Sequence, residues 1–189
     1  GDEVVTNGTF TVDAAAQLSG KKSMMNATSE TISDEATVAM KMQLSTDFQN
    51  QLKGALEAYM VLKDAFVASE VEQISSAAAN LQVELQSVEN QDLEGMVKSH
   101  FEMIQRKLEA ILASDTLEEQ RAAFVILNEN MVVLVNNISG IVPDLYVQRC
   151  PMANNSKGAV WLSSSSEIRN PYYGDAMLTC GSVIDTLGL

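Results

Sequence analysis

Histidine is nearly missing from this chain: His100 is the single copy in 189 residues. That excludes the multi-histidine sites that usually hold zinc or iron. No glycine-rich phosphate loop and no G-x-S-x-G elbow occur, so nucleotide and serine-hydrolase chemistries lack their motifs. No set of base, nucleophile and orienting group is visible either, so the chain does not read as an enzyme. Positive charge is short: 12 Lys+Arg stand against 25 Asp+Glu, for a net charge of −13. That balance repels polyanions and anionic membrane faces, which argues against nucleic-acid binding. No apolar run approaches the roughly eighteen residues needed to cross a bilayer, so direct membrane insertion is not expected. Aromatic residues are sparse at 5%.

What is present is a chain long enough for one domain with a short appendage, and for a core that needs no staples. Ten methionines and two cysteines supply the sulfur. The acidity is uneven: positions 1–140 hold 21 acids and 9 bases, and positions 141–189 hold 4 acids and 3 bases. The first stretch is a solvated acidic body; the last is nearly neutral and holds Cys150 and Cys180.

The patterning predicts a mainly α protein in four parts. Residues 1–20 carry Val4-Val5-Thr6 and Thr9-Phe10-Thr11-Val12 around Asn7-Gly8, a hairpin signal. An isolated hairpin is marginal in water, so this one reads as a remnant, the end of a β domain whose other strands lie upstream. Residues 21–43 are a linker and helix lead-in. Residues 44–140 are expected to form an antiparallel, up-down four-helix bundle. Its first stripe is Leu52, Leu56, Tyr59, Met60, Leu62, Lys63 and Phe66. The second runs from a Ser69–Glu72 capping box through Ile74, Ala78, Leu81 and Leu85. The third is expected from about Gln91 to Ala113, and a Thr116–Glu119 capping box opens the fourth. Residues 141–189 form a small irregular β subdomain, with strands at 145–148 and 159–162 and a turn at Asn154–Gly158. Val183-Ile184 suits either a closing strand or a final helical turn, and Trp161 is expected to anchor this piece to the bundle.

Two stretches are familiar. Asp2-Glu3-Val4-Val5-Thr6-Asn7-Gly8 with Phe10, Asp13, Ala16 and Gln17 resembles the end of the membrane-proximal domain of periplasmic adaptor (membrane-fusion) subunits of heavy-metal efflux pumps. Tyr146 to Ala153 (with Cys150-Pro151-Met152), Gly158 to Ser163, and Ile168 to Gly181 (Asn170-Pro171-Tyr172-Tyr173-Gly174, Met177, Cys180) resemble a helical domain appended to copper/silver-type adaptors. Leu62 to Val67 and Glu118 to Phe124 resemble its helical landmarks. The resemblance implies a periplasmic location in a membrane-associated complex. It also implies copper or silver as cargo, with the inner-membrane transporter, the outer-membrane channel or further adaptor copies as partners.

The residues carry their own chemistry. Cys150 and Met152 are two apart and on a strand would share a face. Met177 and Cys180 are three apart and on a helical turn would share a side. Brought together, Cys150, Met152, Met177 and Cys180 offer two thiolates and two thioethers, a soft set suited to Cu(I) or Ag(I). Zinc suits it less well, since structural zinc sites prefer four Cys/His ligands. A disulfide between Cys150 and Cys180 is the alternative, natural for a periplasmic protein. The chain would then be a clasped structural or docking module with no metal site. His100 shares a helix face with Met96 and Met103, giving a second, weaker metal candidate against ordinary core packing. Met24, Met25, Met40 and Met42 suit either transient capture of the ion or loose packing.

Overall fold

The computed structural model describes residues 46–88, 93, 95–136 and 145–187, all within the unit Met40–Leu189. The expected hairpin over 1–20, the linker over 21–43 and their methionines lie outside the described residues, as does the side chain of Met96.

The fold is mainly α, with four long helices and a small antiparallel sheet. Helix α1 spans Thr46–Ala68. Leu52, Leu56, Tyr59, Leu62 and Phe66 recur at helical steps and are all buried. Lys63 is buried beside them, and its Nζ reaches Asp64 at 2.8 Å, so a charge within the stripe is paired. The helix ends where Ser69 adopts φ 62 and its N–H closes on the Phe66 carbonyl at 3.2 Å.

Helix α2 follows at once, over Val71–Ser87. The expected Ser69–Glu72 box does not form. Glu70 is the N-cap, and it makes no side-chain cap bond. The Ser69 hydroxyl instead accepts a hydrogen bond from Arg121 Nη2 at 2.8 Å, which removes it from the helix start. Helix α3 spans Gly95–Ala113, later than the expected start near Gln91. Leu93 is buried but not helical, and Gly95 at φ 56 cannot be continued backwards as right-handed helix.

Helix α4 spans Leu117–Asn136. Here the expected cap is present: the Glu119 N–H donates to Thr116 Oγ1 at 3.3 Å, and that hydroxyl donates to Glu119 Oε2 at 3.0 Å. The α1–α2 and α3–α4 connections are a few residues long, which makes each pair antiparallel. Phe66 stacks on Phe124 at 4.1 Å between ring centres, joining α1 to α4. Stacked pairs of this kind contribute about 1 kcal/mol beyond the area they bury.

The sheet has order β2-β1-β3. Strands β1 (Leu145–Cys150), β2 (Ala159–Ser163) and β3 (Ser182–Leu187) pair antiparallel throughout. The two expected strands are therefore found, each slightly longer, and Val183-Ile184 belongs to a strand. Asn154, Asn155 and Ser156 take φ of 53, 53 and 63 in the β1–β2 turn, with Gly158 at 86. Asn tolerates this left-handed region better than most residues, which explains the Asn-Asn-Ser-x-Gly chemistry. One apolar core runs from the bundle into the sheet, through Leu145, Val147, Trp161 and Leu162.

Candidate functional site

Two tyrosines and one asparagine join the sheet to the bundle. Strand β2 is an edge, so alternate backbone groups face away from β1 and need partners. The Leu162 N–H donates to the Tyr59 hydroxyl at 3.0 Å, and that hydroxyl donates to Asn128 Oδ1 at 2.5 Å. Asn128 Nδ2 donates to the Tyr172 hydroxyl at 2.9 Å, which in turn donates to the Val160 carbonyl at 2.5 Å. The chain of donors leaves β2 at one residue and returns to it two residues earlier. Burial drives the Tyr59 hydroxyl far above its ordinary pKa, outweighing the Leu162 hydrogen bond that lowers it. Tyr172 is raised by burial first, then by the charges that Tyr59, Glu129 and Cys150 would carry, while its bond to Asn128 lowers it.

The segment between β2 and β3 folds back against the sheet. Gln148 Nε2 donates to the Ser165 and Glu167 carbonyls at 2.8 and 3.0 Å. Buried Asn170 is the main staple: its Nδ2 donates to the Cys180 carbonyl at 2.9 Å, and its Oδ1 accepts the Tyr172 N–H at 2.8 Å. Arg121 of α4 donates from Nε to the Pro171 carbonyl at 3.2 Å, fixing the segment to the α1–α2 corner. Burial lowers the pKa of that guanidinium. Gly174, at φ 55, lies against Ser69 Oγ and the Val67 carbonyl, where a side chain has no room.

The consequence is a sulfur pair. Cys150 ends β1 fully buried, Cys180 lies just before β3 partly exposed, and their Sγ atoms are 3.3 Å apart across 30 residues of sequence. Both cysteines are free, and the contact is a thiol–thiol hydrogen bond. That bond with Cys150, then burial, then the charge Cys150 would carry, all push the Cys180 thiol upward. Gly181, at φ 144, lets the chain pass within contact of the Arg149 carbonyl and the Trp161 ring. Trp161 is buried in the core that runs from the bundle into the sheet, and it also meets Tyr172 of the folded-back segment edge-on at 5.9 Å.

The other expected ligands stand differently. Met152 is not on the strand face of Cys150: β1 stops at Cys150, Pro151 offers no N–H to continue the ladder, and Met152 is 47% exposed. Its carbonyl accepts the Tyr173 hydroxyl at 2.8 Å, which ties this turn to the returning segment. Met177 ends a short 3-10 turn, Gly174–Met177, and is 42% exposed; its carbonyl accepts the Cys180 N–H at 3.0 Å. The helical-turn spacing of Met177 and Cys180 is thus present in the backbone. His100 sits on α3, with Nδ1 2.8 Å from Asn130 Oδ1 of α4. Asn130 Nδ2 already donates to the Ile126 carbonyl, so the imidazole Nδ1–H is the donor. His100 is therefore engaged within the bundle, on a different element from either cysteine. Among the described residues, no three of His, Cys, Asp and Glu gather as a metal group. Sequence reasoning passed over Asn128 and took Tyr59 for an apolar residue. The available signal was an amide on the α4 face of Phe124, Leu127 and Met131.

A helical bundle that holds two convergent sulfur arms on a three-stranded sheet is the class of protein these features define. Residues 55–140 are similar to the family described as "Protein of unknown function (DUF3347)". That match covers most of the bundle, without the start of α1, and less than half of the chain, and it stops short of both sulfur arms. No curated protein and no solved structure matches the chain.

Proposed function

We propose that the chain is a soft-metal accessory domain of a periplasmic efflux adaptor, taking Cu(I) or Ag(I) as cargo and passing it towards a tripartite pump. The observation that carries this reading is the 3.3 Å approach of Cys150 and Cys180. The donor chemistry fits a soft monovalent ion: two thiols, with Met152 and Met177 next to them in sequence and on the surface. The sulfur spacing favours one coordination number over another. With metal–thiolate bonds of about 2.3 Å, two sulfurs on a tetrahedral ion lie ~3.8 Å apart, and on a linear ion ~4.6 Å. The pair opens by about half an ångström for the first and by more than one for the second, so a site completed by thioethers is the smaller rearrangement. Release needs no catalytic residue, because sulfur ligands can be exchanged one at a time. The pump's inner-membrane transporter, its outer-membrane channel or other adaptor copies are the candidate receivers.

The test is Cu(I) titration of reduced protein against a competing chromophoric chelator. One equivalent retained per chain, lost in Cys150→Ser and Cys180→Ser and weakened in Met177→Ala, is the expected result. A reduced protein that takes no Cu(I) from the chelator would overturn the reading and leave a clasped docking module.

A further inference from the structure

The two thiols are chemically unequal. Cys150 is wholly buried under the folded-back segment, whereas Cys180 is partly exposed at the point where that segment enters β3. Their backbones are held: Cys150 pairs with Ala159 in the sheet, and the Cys180 carbonyl and N–H are bound to Asn170 and Met177. A reagent from solvent therefore meets Cys180 first, while Cys150 waits 3.3 Å behind it. Access joins thiolate fraction in setting which of two thiols reacts with a disulfide, and proximity favours the neighbouring thiol in resolving the product.

We infer that Cys180 is a thiolation site for low-molecular-weight aliphatic disulfides and that Cys150 is its resolving thiol. In the first step Cys180 sulfur, as thiolate, attacks one sulfur of R–S–S–R; a Cys180–S–S–R bond forms and RS⁻ leaves. In the second step Cys150 sulfur, as thiolate, attacks Cys180 sulfur; the Cys150–Cys180 bond forms and the second RS⁻ leaves. The two protein thiols are oxidised by two electrons, the small disulfide is reduced, and the two protons from the cysteines end on two RSH. To form the bond the Sγ atoms close from 3.3 Å to the ~2.05 Å of a disulfide. One consequence rests on the soft-metal reading above: oxidation removes both thiolates, so a loaded ion and a disulfide exclude each other.

The experiment uses the full chain with glutathione disulfide as probe and intact-mass spectrometry as readout. Cys150→Ser is expected to collect one stable glutathione, at Cys180. Cys180→Ser is expected to react at least about tenfold more slowly, because its remaining thiol is shielded. Wild type is expected to lose two hydrogens and keep no adduct. Equal rates in the two variants, a lasting adduct on wild type, or no reaction at all would overturn the assignment. Should a variant fail to fold, peptide mapping of wild type quenched at early times decides, with the first adduct expected on Cys180 and an adduct on Cys150 refuting it. Preloading with one equivalent of Ag(I) separates the two proposals. Protection supports both; no protection with the same order of thiolation removes the metal reading alone.

Discussion

Replacing Tyr59 with Phe removes one oxygen and leaves two buried groups without partners. The Leu162 N–H loses its acceptor and Asn128 Oδ1 loses its donor, and both residues are fully buried. Ring stacking on Phe124, 6.1 Å between centres, is kept, so packing changes little. An orphaned buried polar group costs about 1–3 kcal/mol, so the two together should destabilise the protein by about 3 kcal/mol. For a domain of this size each kcal/mol shifts Tm by roughly 2–4 °C, which makes the expected drop about 6–12 °C. Calorimetry measures this directly. Amide exchange adds a local signature: the Leu162 amide should exchange faster in Tyr59→Phe. Tyr172→Phe orphans Asn128 from its other side and frees the Val160 carbonyl, so the two substitutions share a partner. Their double-mutant cycle should show a coupling of about 0.5–3 kcal/mol. A Tm drop under 2 °C for Tyr59→Phe, or strict additivity with Tyr172→Phe, would refute the claim that these groups act as one bonded chain.

Two other outcomes follow from the same interior. Tyr59 and Tyr172 hold their protons in the folded state well above the ordinary tyrosine range, so the folded form binds protons that the unfolded chain has released. Stability is unaffected by these groups below about pH 10 and falls above it, by up to about 1.4 kcal/mol per pH unit for each tyrosine. Urea melts across that range should show the slope, and an equal slope in the double Phe variant would refute the assignment. Gly181→Ala places a methyl 2.9 Å from the Arg149 carbonyl and 3.0 Å from Trp161, at a φ that disfavours any side chain. It should cost about 1–3 kcal/mol and slow formation of the Cys150–Cys180 bond, measured by thiol titration under mild oxidant. A variant that melts and oxidises like wild type would show that Gly181 does not position the arm.

The bundle was legible because its information is periodic. Leu52 to Phe66 and Ile74 to Leu85 repeat at helical steps, and burial follows that repeat except at Met60, which is only partly buried. The Thr116–Glu119 cap was legible for the same reason, since both of its partners lie within one turn. The Ser69–Glu72 cap was misread because a long-range competitor, Arg121, takes the Ser69 hydroxyl. The approach of Cys150 to Cys180 agrees with the expected convergence, but Met152 leaves the strand face because Pro151 ends the pairing, a signal already present in the sequence. Asn128 was invisible for a similar reason. Its partners lie 69 residues before it and 44 after it, and no local pattern connects them.

The bonded chain from Leu162 to Val160 also sets an order of assembly. Tyr59 and Asn128 come from α1 and α4 while Tyr172 comes from the folded-back segment, so on the outer side of β2 the Leu162 N–H meets its Tyr59 acceptor only once α1 has packed. Cys150 and Cys180 follow all four long helices in the chain, so the interior against which β2 docks is already synthesised when the two thiols arrive.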